Sequence, residues 1–165
     1  MRGKETKAVL PFRAAMALAV AGLALVDLLV KSAVVLTMGQ GQFLDFGPLN
    51  VRLAYNTGVA FSLGATLSPW IVVAATAAIV TALAVYLYRV APGFNRISRA
   101  GAVLLLGGAV GNLVDRMDGA GVVDFLHTGW FPTFNLADVF VTGGVGLLVL
   151  GSVRTPAQAL KEEGR

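Results

Sequence analysis

Two aspartates lie where a charged side chain is costly. Asp124 stands among apolar neighbours in the stretch Val-Val-Asp-Phe-Leu, which we assign to a loop, and Asp138 lies one turn inside an apolar segment. Two carboxylates about 3 Å apart cannot both stay ionised, so they share one proton. One can then act as general base on a water molecule while the other acts as general acid. This chemistry needs no metal, and the chain has no cysteine and a single histidine, His127, which we assign to a loop.

Further polar residues precede these aspartates. Asp115 and Arg116 lie three and four residues after Asn112, so on a helix the three side chains share one face. Gly107 and Gly111 precede Asn112 on the same predicted helix. Two small residues four positions apart (small-xxx-small) let another helix approach closely. The glycines alone indicate helix packing, whereas the polar cluster beyond them favours a functional site.

The first apolar segment contains an acid and a base, Asp27 and Lys31, one helical turn apart. They share a face and can form an ion pair. Two interpretations stay open: a structural pair that lets two charges sit in a helix bundle, or a direct role in handling substrate. Asn135 can cap the helix that contains Asp138. The alternative for Asp138 is a first-turn acid favoured by the helix dipole, but that does not explain the purely apolar span after it.

Membrane spans are the elements that must position these residues. The chain is 56% hydrophobic and 13% charged, about half the charged fraction of a soluble domain. Four apolar segments, about 14–36, 70–88, 100–114 and 136–153, approach the roughly 20 residues that cross a bilayer. We predict an all-α membrane protein with four transmembrane helices, forming one domain over 1–165. The first segment could instead be a signal peptide, but no soluble domain follows it.

Basic residues indicate the orientation. Ten of the thirteen Lys and Arg residues fall in the N-terminal tail, the second connection and the C-terminal tail, against only Arg52 and Arg116 on the opposite side. The positive-inside rule then places both termini in the cytoplasm. This orientation also accounts for the net charge of +4, so we expect no nucleic-acid partner. The first and third connections, 37–69 and 117–134, would face outward.

The two outer connections differ in character. The first has apolar residues from Phe43 to Tyr55 around a Gly47-Pro48 turn, which predicts short strands in a small β-containing extracytoplasmic region on the membrane surface. The second has three aromatic rings suited to the level of the lipid headgroups. These are Trp130, Phe131 and Phe134. We expect the polar C-terminal tail to be loose.

Five sequence pieces occur in order over residues 27–138. They are Asp27-x-x-x-Lys31, Asn56-Thr-Gly58-Val-Ala60-Phe61, Gly107-Gly108-x-x-Gly111-Asn112-x-x-Asp115-Arg116, Val122-Val123-Asp124-Phe125 and Phe134-Asn135-x-Ala137-Asp138. Each piece alone is weak to moderate evidence, but the ordered set is highly specific. In this set the chain resembles lipoprotein signal peptidase (signal peptidase II), a family of bacterial membrane aspartyl proteases.

The resemblance implies roles for these residues. Asp124 and Asp138 would be the catalytic aspartates. Residues that line or brace the site would be Asn56, Gly108, Asn112, Arg116 and Asn135, and those with a supporting role would be Asp27, Lys31 and Asp115. The stretch between Asp124 and Asp138 is shorter than we expect for the family, which affects the shape of the outer lid and not the pair itself.

The resemblance also implies a substrate and a location. The substrate would be a prolipoprotein whose cysteine carries a diacylglyceryl group, and cleavage would fall just before that cysteine. The enzyme would work as a monomer among membrane lipids, without metal or other cofactor. It would be a multi-pass protein of the bacterial plasma membrane, with its active site on the outer side.

Two rival functions remain at this point. Charges within a membrane also mark ion pathways, so a small ion- or proton-coupled transporter is the main alternative. A carrier would place its acids near the bilayer midplane and often shows an internal repeat, whereas these acids crowd one surface and no repeat is visible. The other rival is a purely structural membrane subunit, which has no need for a costly set of buried polar residues.

Overall fold

Four long helices and a small sheet form the fold in the computed structural model, which describes residues 2–39, 42–58 and 68–163, with side chains from Phe12 to Val153. The helices are α1 (Arg2–Thr37), α2 (Pro69–Val90), α3 (Arg96–Arg116) and α4 (Leu136–Glu163), with a 3₁₀ turn at Ala91–Gly93 between α2 and α3. The strands are β1 (Phe43–Leu44), β2 (Asn50–Asn56) and β3 (Val122–His127).

Four helical stretches in the described part of the chain are long and apolar enough to cross a membrane. They are Phe12–Thr37, Pro69–Gly93, Arg96–Arg116 and Leu136–Val153. The predicted four-span, mainly helical fold is therefore confirmed. The third span begins at Arg96, four residues earlier than predicted, because the Asn95 side chain accepts a hydrogen bond from Ser98 N at 2.9 Å and caps α3 there.

Glycines on α3 let its neighbouring helices approach closely. A Cβ atom on Gly107 would lie 2.6 Å from Leu23 Cβ of α1, and one on Gly111 would lie 2.9 Å from Asp27 Oδ2. On another face, a Cβ atom on Gly101 would lie 2.7 Å from the carbonyl oxygen of Gly144 in α4. The predicted close packing at Gly107 and Gly111 is confirmed and places α3 directly against α1, while Gly101 allows the same close approach to α4.

The sheet joins the two connections predicted to face outward. Its order is β1-β2-β3, and both pairings are antiparallel, with Phe43 opposite Arg52 and Ala54 opposite Asp124. The predicted strands in the first connection are confirmed. The assignment of Asp124 and His127 to a loop is wrong, because Val122–His127 forms β3 along the edge of β2. A bridge between Leu126 and Phe134 then returns the chain towards α4.

Two other predictions concern segments at the edges of the described structure. The C-terminal tail, expected to be loose, has a helical backbone, because α4 continues without a break to Glu163. Ala60 and Phe61 of the Asn56-Thr-Gly58-Val-Ala60-Phe61 piece lie outside the described residues.

Candidate active site

Asp124 is held in place by the sheet and by two asparagines. β3 positions it opposite Ala54 of β2, and only 3% of its surface is exposed. Asn56, at the end of β2, donates from Nδ2 to Asp124 Oδ2 at 3.1 Å. Asn135 donates from Nδ2 to Asp124 Oδ1 at 2.7 Å. Each carboxylate oxygen of Asp124 therefore accepts one amide hydrogen bond.

Asp138 is held by the first turn of α4. Asn135 immediately precedes this helix, and its Oδ1 accepts from the backbone N–H of Asp138 at 3.0 Å. In return, Asp138 Oδ2 accepts from the backbone N–H of Asn135 at 3.1 Å. This reciprocal pair is a capping box in which Asp takes the place of the usual Glu or Gln. The predicted cap is confirmed, and it fixes the Asp138 carboxylate beside the helix start.

Asn112 connects the two carboxylates from α3. Its Nδ2 donates to Asp138 Oδ1 at 2.9 Å. Its Oδ1 accepts from Asn135 Nδ2, the atom that also donates to Asp124, at 3.1 Å. One continuous hydrogen-bond network therefore joins Asp124 and Asp138 through two amide side chains.

The three residues expected to support the site adjoin this network. Lys31 is buried and forms ion pairs with Asp27 at 2.8 Å and with Asp115 at 3.0 Å. Its Nζ also donates to Asn112 Oδ1 at 2.8 Å. The predicted ion pair between Asp27 and Lys31 is thus confirmed, and Lys31 extends it to Asp115 on α3.

Gly108 and Arg116 occupy different places around the site. A Cβ atom on Gly108 would collide with the carbonyl oxygen of Ala137, so the glycine allows α3 to meet the first turn of α4. The Arg116 side chain is directed towards α2 and the end of β2. Its Nη1 donates to Thr76 on α2 at 3.3 Å, and its guanidinium lies against Gly58 after β2. Among the described contacts of Arg116, none reaches Asp124 or Asp138.

Burial dominates the electrostatics of Asp124. Removal from water raises the pKa of the Asp124 carboxyl above its usual value, although the hydrogen bonds from Asn56 and Asn135 oppose that rise. The nearby charge of Asp138 raises the pKa further. A carboxyl with a raised pKa that accepts hydrogen bonds and lies near a second carboxylate is suited to holding a shared proton.

An apolar groove opens beside Asp138. It has a volume of about 550 Å³ and lies between α4 and the aromatic loop that follows β3. Its other lining residues are Phe131, Thr133, Phe134, Val139, Thr142 and Gly143. Asp138 is the acid at the edge of this groove. Sequence reasoning did not select the groove residues on α4, although Thr142 lies one turn after Asp138 and therefore on the same face.

Two backbone groups next to the aspartates were also missed. Ala137 N donates to Asp27 Oδ1, and Val123 N donates to Asp115 Oδ2, each at 2.8 Å. Sequence alone gives no signal for them, because they depend on which helix lies beside which strand. Within the residues that the structure describes, no group of three His, Cys, Asp or Glu side chains is arranged to hold a metal ion.

Comparison with known proteins agrees with this geometry. Residues 19–154 match the family Signal peptidase (SPase) II. The chain is 39% identical over 131 residues to the lipoprotein signal peptidases of Brucella ovis and Brucella canis, a match that covers 76% of this chain and 81% of each relative.

Two solved structures have a similar fold. One is a bacterial membrane enzyme determined by the in meso method at 2.3 Å resolution, with a TM-score of 0.69 and 28% identity over 88% of this chain and 91% of the other. The second, solved by the same method at 1.9 Å, has a TM-score of 0.68 and 29% identity over 86% and 94%. The chain belongs to the signal peptidase II family of membrane aspartic proteases, and it cleaves signal peptides from lipoproteins.

Proposed function

We propose that Asp124 and Asp138 are the catalytic pair of this peptidase. The observation that supports the proposal is the pair of amide bridges, Asn112 and Asn135, through which the two carboxylates belong to one hydrogen-bond network. Asparagine side chains can donate to one carboxylate while accepting from another group, so they hold two acids together without neutralising either. Neither rival function, transport or a purely structural role, accounts for this arrangement.

The two aspartates would take different parts in the reaction. Asp138 faces the groove, so it would accept a proton from the water molecule that attacks the scissile carbonyl carbon. Asp124, whose pKa is raised by burial, would donate its proton to the carbonyl oxygen. In the second step the tetrahedral diol would return a proton to Asp124 while Asp138 would give its proton to the leaving nitrogen. Both carboxyls would then be back in their starting states.

The test is conservative replacement of each aspartate. Asp124→Asn and Asp138→Asn should each lower the cleavage rate of a lipid-modified prolipoprotein by at least about 10³-fold, because each removes an acid–base group and leaves the shape nearly unchanged. Asp118→Asn is the matched control, since Asp118 is an exposed acid in the neighbouring turn. Cleavage and thermal unfolding are measured for all three variants. Near-normal turnover in either test variant would refute the assignment.

We further propose that the substrate must carry a lipid on its cysteine. The groove beside Asp138 is apolar and has few polar groups with which to read a peptide sequence. Burial of an acyl chain contributes about 0.8 kcal/mol per methylene, but a lipid already in a bilayer gains little of this. The benefit is therefore orientation: the lipid fixes the depth of the bond just before the cysteine, at the level of the carboxylates.

The lipid requirement can be tested with one precursor in two forms. In the same detergent or bilayer, the unlipidated precursor should be cleaved at least about 100-fold more slowly than the diacylglyceryl form. Equal cleavage rates for the two forms would show that the enzyme recognises the peptide and not the lipid.

We also propose a location and an assembly state for the enzyme. The multi-pass chain would lie in the bacterial plasma membrane with both termini in the cytoplasm, so that the sheet and the two aspartates face outward. The excess of basic residues on the opposite side supports this orientation. We propose a monomer, because a single chain supplies every side chain of the network described above.

A further inference from the structure

We infer that Lys31 is the positioning residue that holds both catalytic carboxylates in register, an inference that rests on the proposed function. Lys31 is 2% exposed in α1. Its Nζ lies 2.8 Å from Asp27 Oδ2, 3.0 Å from Asp115 Oδ2 and 2.8 Å from Asn112 Oδ1. An ammonium group carries a positive charge and has N–H donors but no acceptor, so it pairs with both carboxylates by charge while it donates a hydrogen bond to the Asn112 oxygen.

The two carboxylates around Lys31 each hold the backbone beside a catalytic aspartate. Asp27 Oδ1 accepts from the N–H of Ala137, the residue before Asp138, at 2.8 Å. Asp115 Oδ2 accepts from the N–H of Val123, the residue before Asp124, at 2.8 Å. The ammonium between these two acids therefore joins the start of α4 to β3, and this sets how far apart the two catalytic backbones lie.

The third partner of Lys31 acts on a catalytic side chain. Because the ammonium can only donate, Asn112 must present its oxygen to Lys31 and its Nδ2 to Asp138, where the observed distance is 2.9 Å. If the amide were reversed, its N–H group would face the ammonium and its oxygen would face the carboxylate, and both contacts would be repulsive. Lys31 thus fixes the direction of the amide donor that orients Asp138. The same amide oxygen receives Asn135 Nδ2, so the orientation passes to Asp124 as well.

Loss of Lys31 should therefore affect turnover more than substrate binding. Without the ammonium, Asp27 and Asp115 repel each other and the amide of Asn112 is free to turn. A displacement of about 1 Å at the reacting groups costs on the order of 10²-fold in rate. The apolar groove beside Asp138 is lined by the aromatic loop and α4, and Lys31 is not among its lining residues. We expect Lys31→Met to lower kcat about 100-fold and to change KM by less than about threefold.

Two variants separate positioning from simple loss of folding. Lys31→Met leaves two acids without their shared cation, which can destabilise the protein. Asp27→Asn/Lys31→Met removes one of those acids and keeps an oxygen that accepts from Ala137 N. We therefore expect this double variant to fold better than Lys31→Met. Ser32→Ala is the matched control, because Ser32 is the next residue of α1, is exposed and, within the described structure, donates to its own helix at Leu28 O. Thermal unfolding and the concentration of folded enzyme are measured for each.

The kcat of each variant is calculated from the concentration of folded enzyme. A kcat that falls about 100-fold with KM nearly constant in the double variant, and stays normal in Ser32→Ala, supports the inference. Combination of Lys31→Met with Asn112→Ala should add little to the loss from either change alone, because both act on the same donor. Normal kcat per folded molecule in the double variant overturns it. Near-normal turnover in Asp124→Asn or Asp138→Asn would instead refute the proposed catalytic pair, whatever the result for Lys31.

Discussion

Asn135 contacts both carboxylates of the proposed pair and is completely buried. Its Nδ2 donates to Asp124 while its Oδ1 caps α4 at the backbone N–H of Asp138. The two halves of one amide therefore perform separable tasks, one for the acid on the strand and one for the helix start. Replacements that keep one half and remove the other distinguish the two tasks.

Asn135→Ser should keep most of the cap and lose the donor to Asp124, whereas Asn135→Ala should lose both. The cap contributes about 1 kcal/mol, and a buried acceptor left without its donor costs about 1–3 kcal/mol. We expect both variants to lose most of their kcat and Asn135→Ala to unfold at a lower temperature than Asn135→Ser. Thermal unfolding and cleavage rates check this. Wild-type kcat in Asn135→Ser would show that the donor to Asp124 is not needed.

The identity of the polar residues could be predicted from the sequence, but most of their partners could not. The capping role of Asn135 follows from local spacing, and so does the ion pair between Asp27 and Lys31, because both are set within one helical turn. The contact from Asn56 to Asp124 joins residues 68 positions apart and depends on the register of β2 against β3. Spacing along a chain carries no information about such a register before the strands pair.

At the scale of elements, two nearby glycines of α4 lie on different faces of the helix, one packed against α3 and one open. A Cβ atom on Gly144 would lie 2.7 Å from the carbonyl oxygen of Gly101 in α3, whereas one on Gly146 would meet no atom of the described residues within 4 Å. The same substitution at these two positions therefore tests the contact between α3 and α4, because its effect on the helix propensity of α4 is the same at both.

Gly144→Ala should force α3 and α4 apart, and Gly146→Ala should not. Overpacking of this kind costs about 1–3 kcal/mol, while alanine for glycine on an open helix face stabilises by up to about 1 kcal/mol. We expect a lower unfolding temperature for Gly144→Ala and an equal or higher one for Gly146→Ala in the same detergent. Equal unfolding temperatures for the two variants would mean that the close α3–α4 contact does not limit stability.

The elements differ in how readily the sequence reveals them. The four helices follow from long apolar runs, because hydropathy needs no knowledge of neighbours. β3 was missed because its central residue is an aspartate and its apolar neighbours also suit a buried loop. Pairing with β2 makes it a strand, as in the pairs of Val123 with Tyr55 and of Asp124 with Ala54. The element that positions Asp124, one of the two proposed catalytic acids, is thus the one with the weakest local signal.

For the whole molecule, the sheet limits the possible topologies. β2 lies between α1 and α2, β3 lies between α3 and α4, and the two strands pair along their length. Both connections must therefore lie on the same side of the membrane, and the α2–α3 connection on the other. Trp130, which is 84% exposed in the loop after β3, suits the headgroup level on the sheet side. The pairing of the strands relates the sides of the loops to one another, and the basic residues predict the absolute direction.

Reporter fusions test that direction. A reporter fused after Arg165 and one inserted at Ala91–Gly93 should both read as cytoplasmic, whereas one inserted near Gly41 should read as external. The physical reason is that ten Lys and Arg residues flank the spans on the proposed cytoplasmic side against two on the other, and translocation of short basic segments is disfavoured. A phosphatase active only outside the cell and a fluorescent protein that matures only inside provide complementary signals at each site. The insertion at Ala91–Gly93 is the internal control for the C-terminal fusion. External signals at both of these sites would reverse the orientation and put the two aspartates on the cytoplasmic face, while opposite signals at the two would contradict four spans.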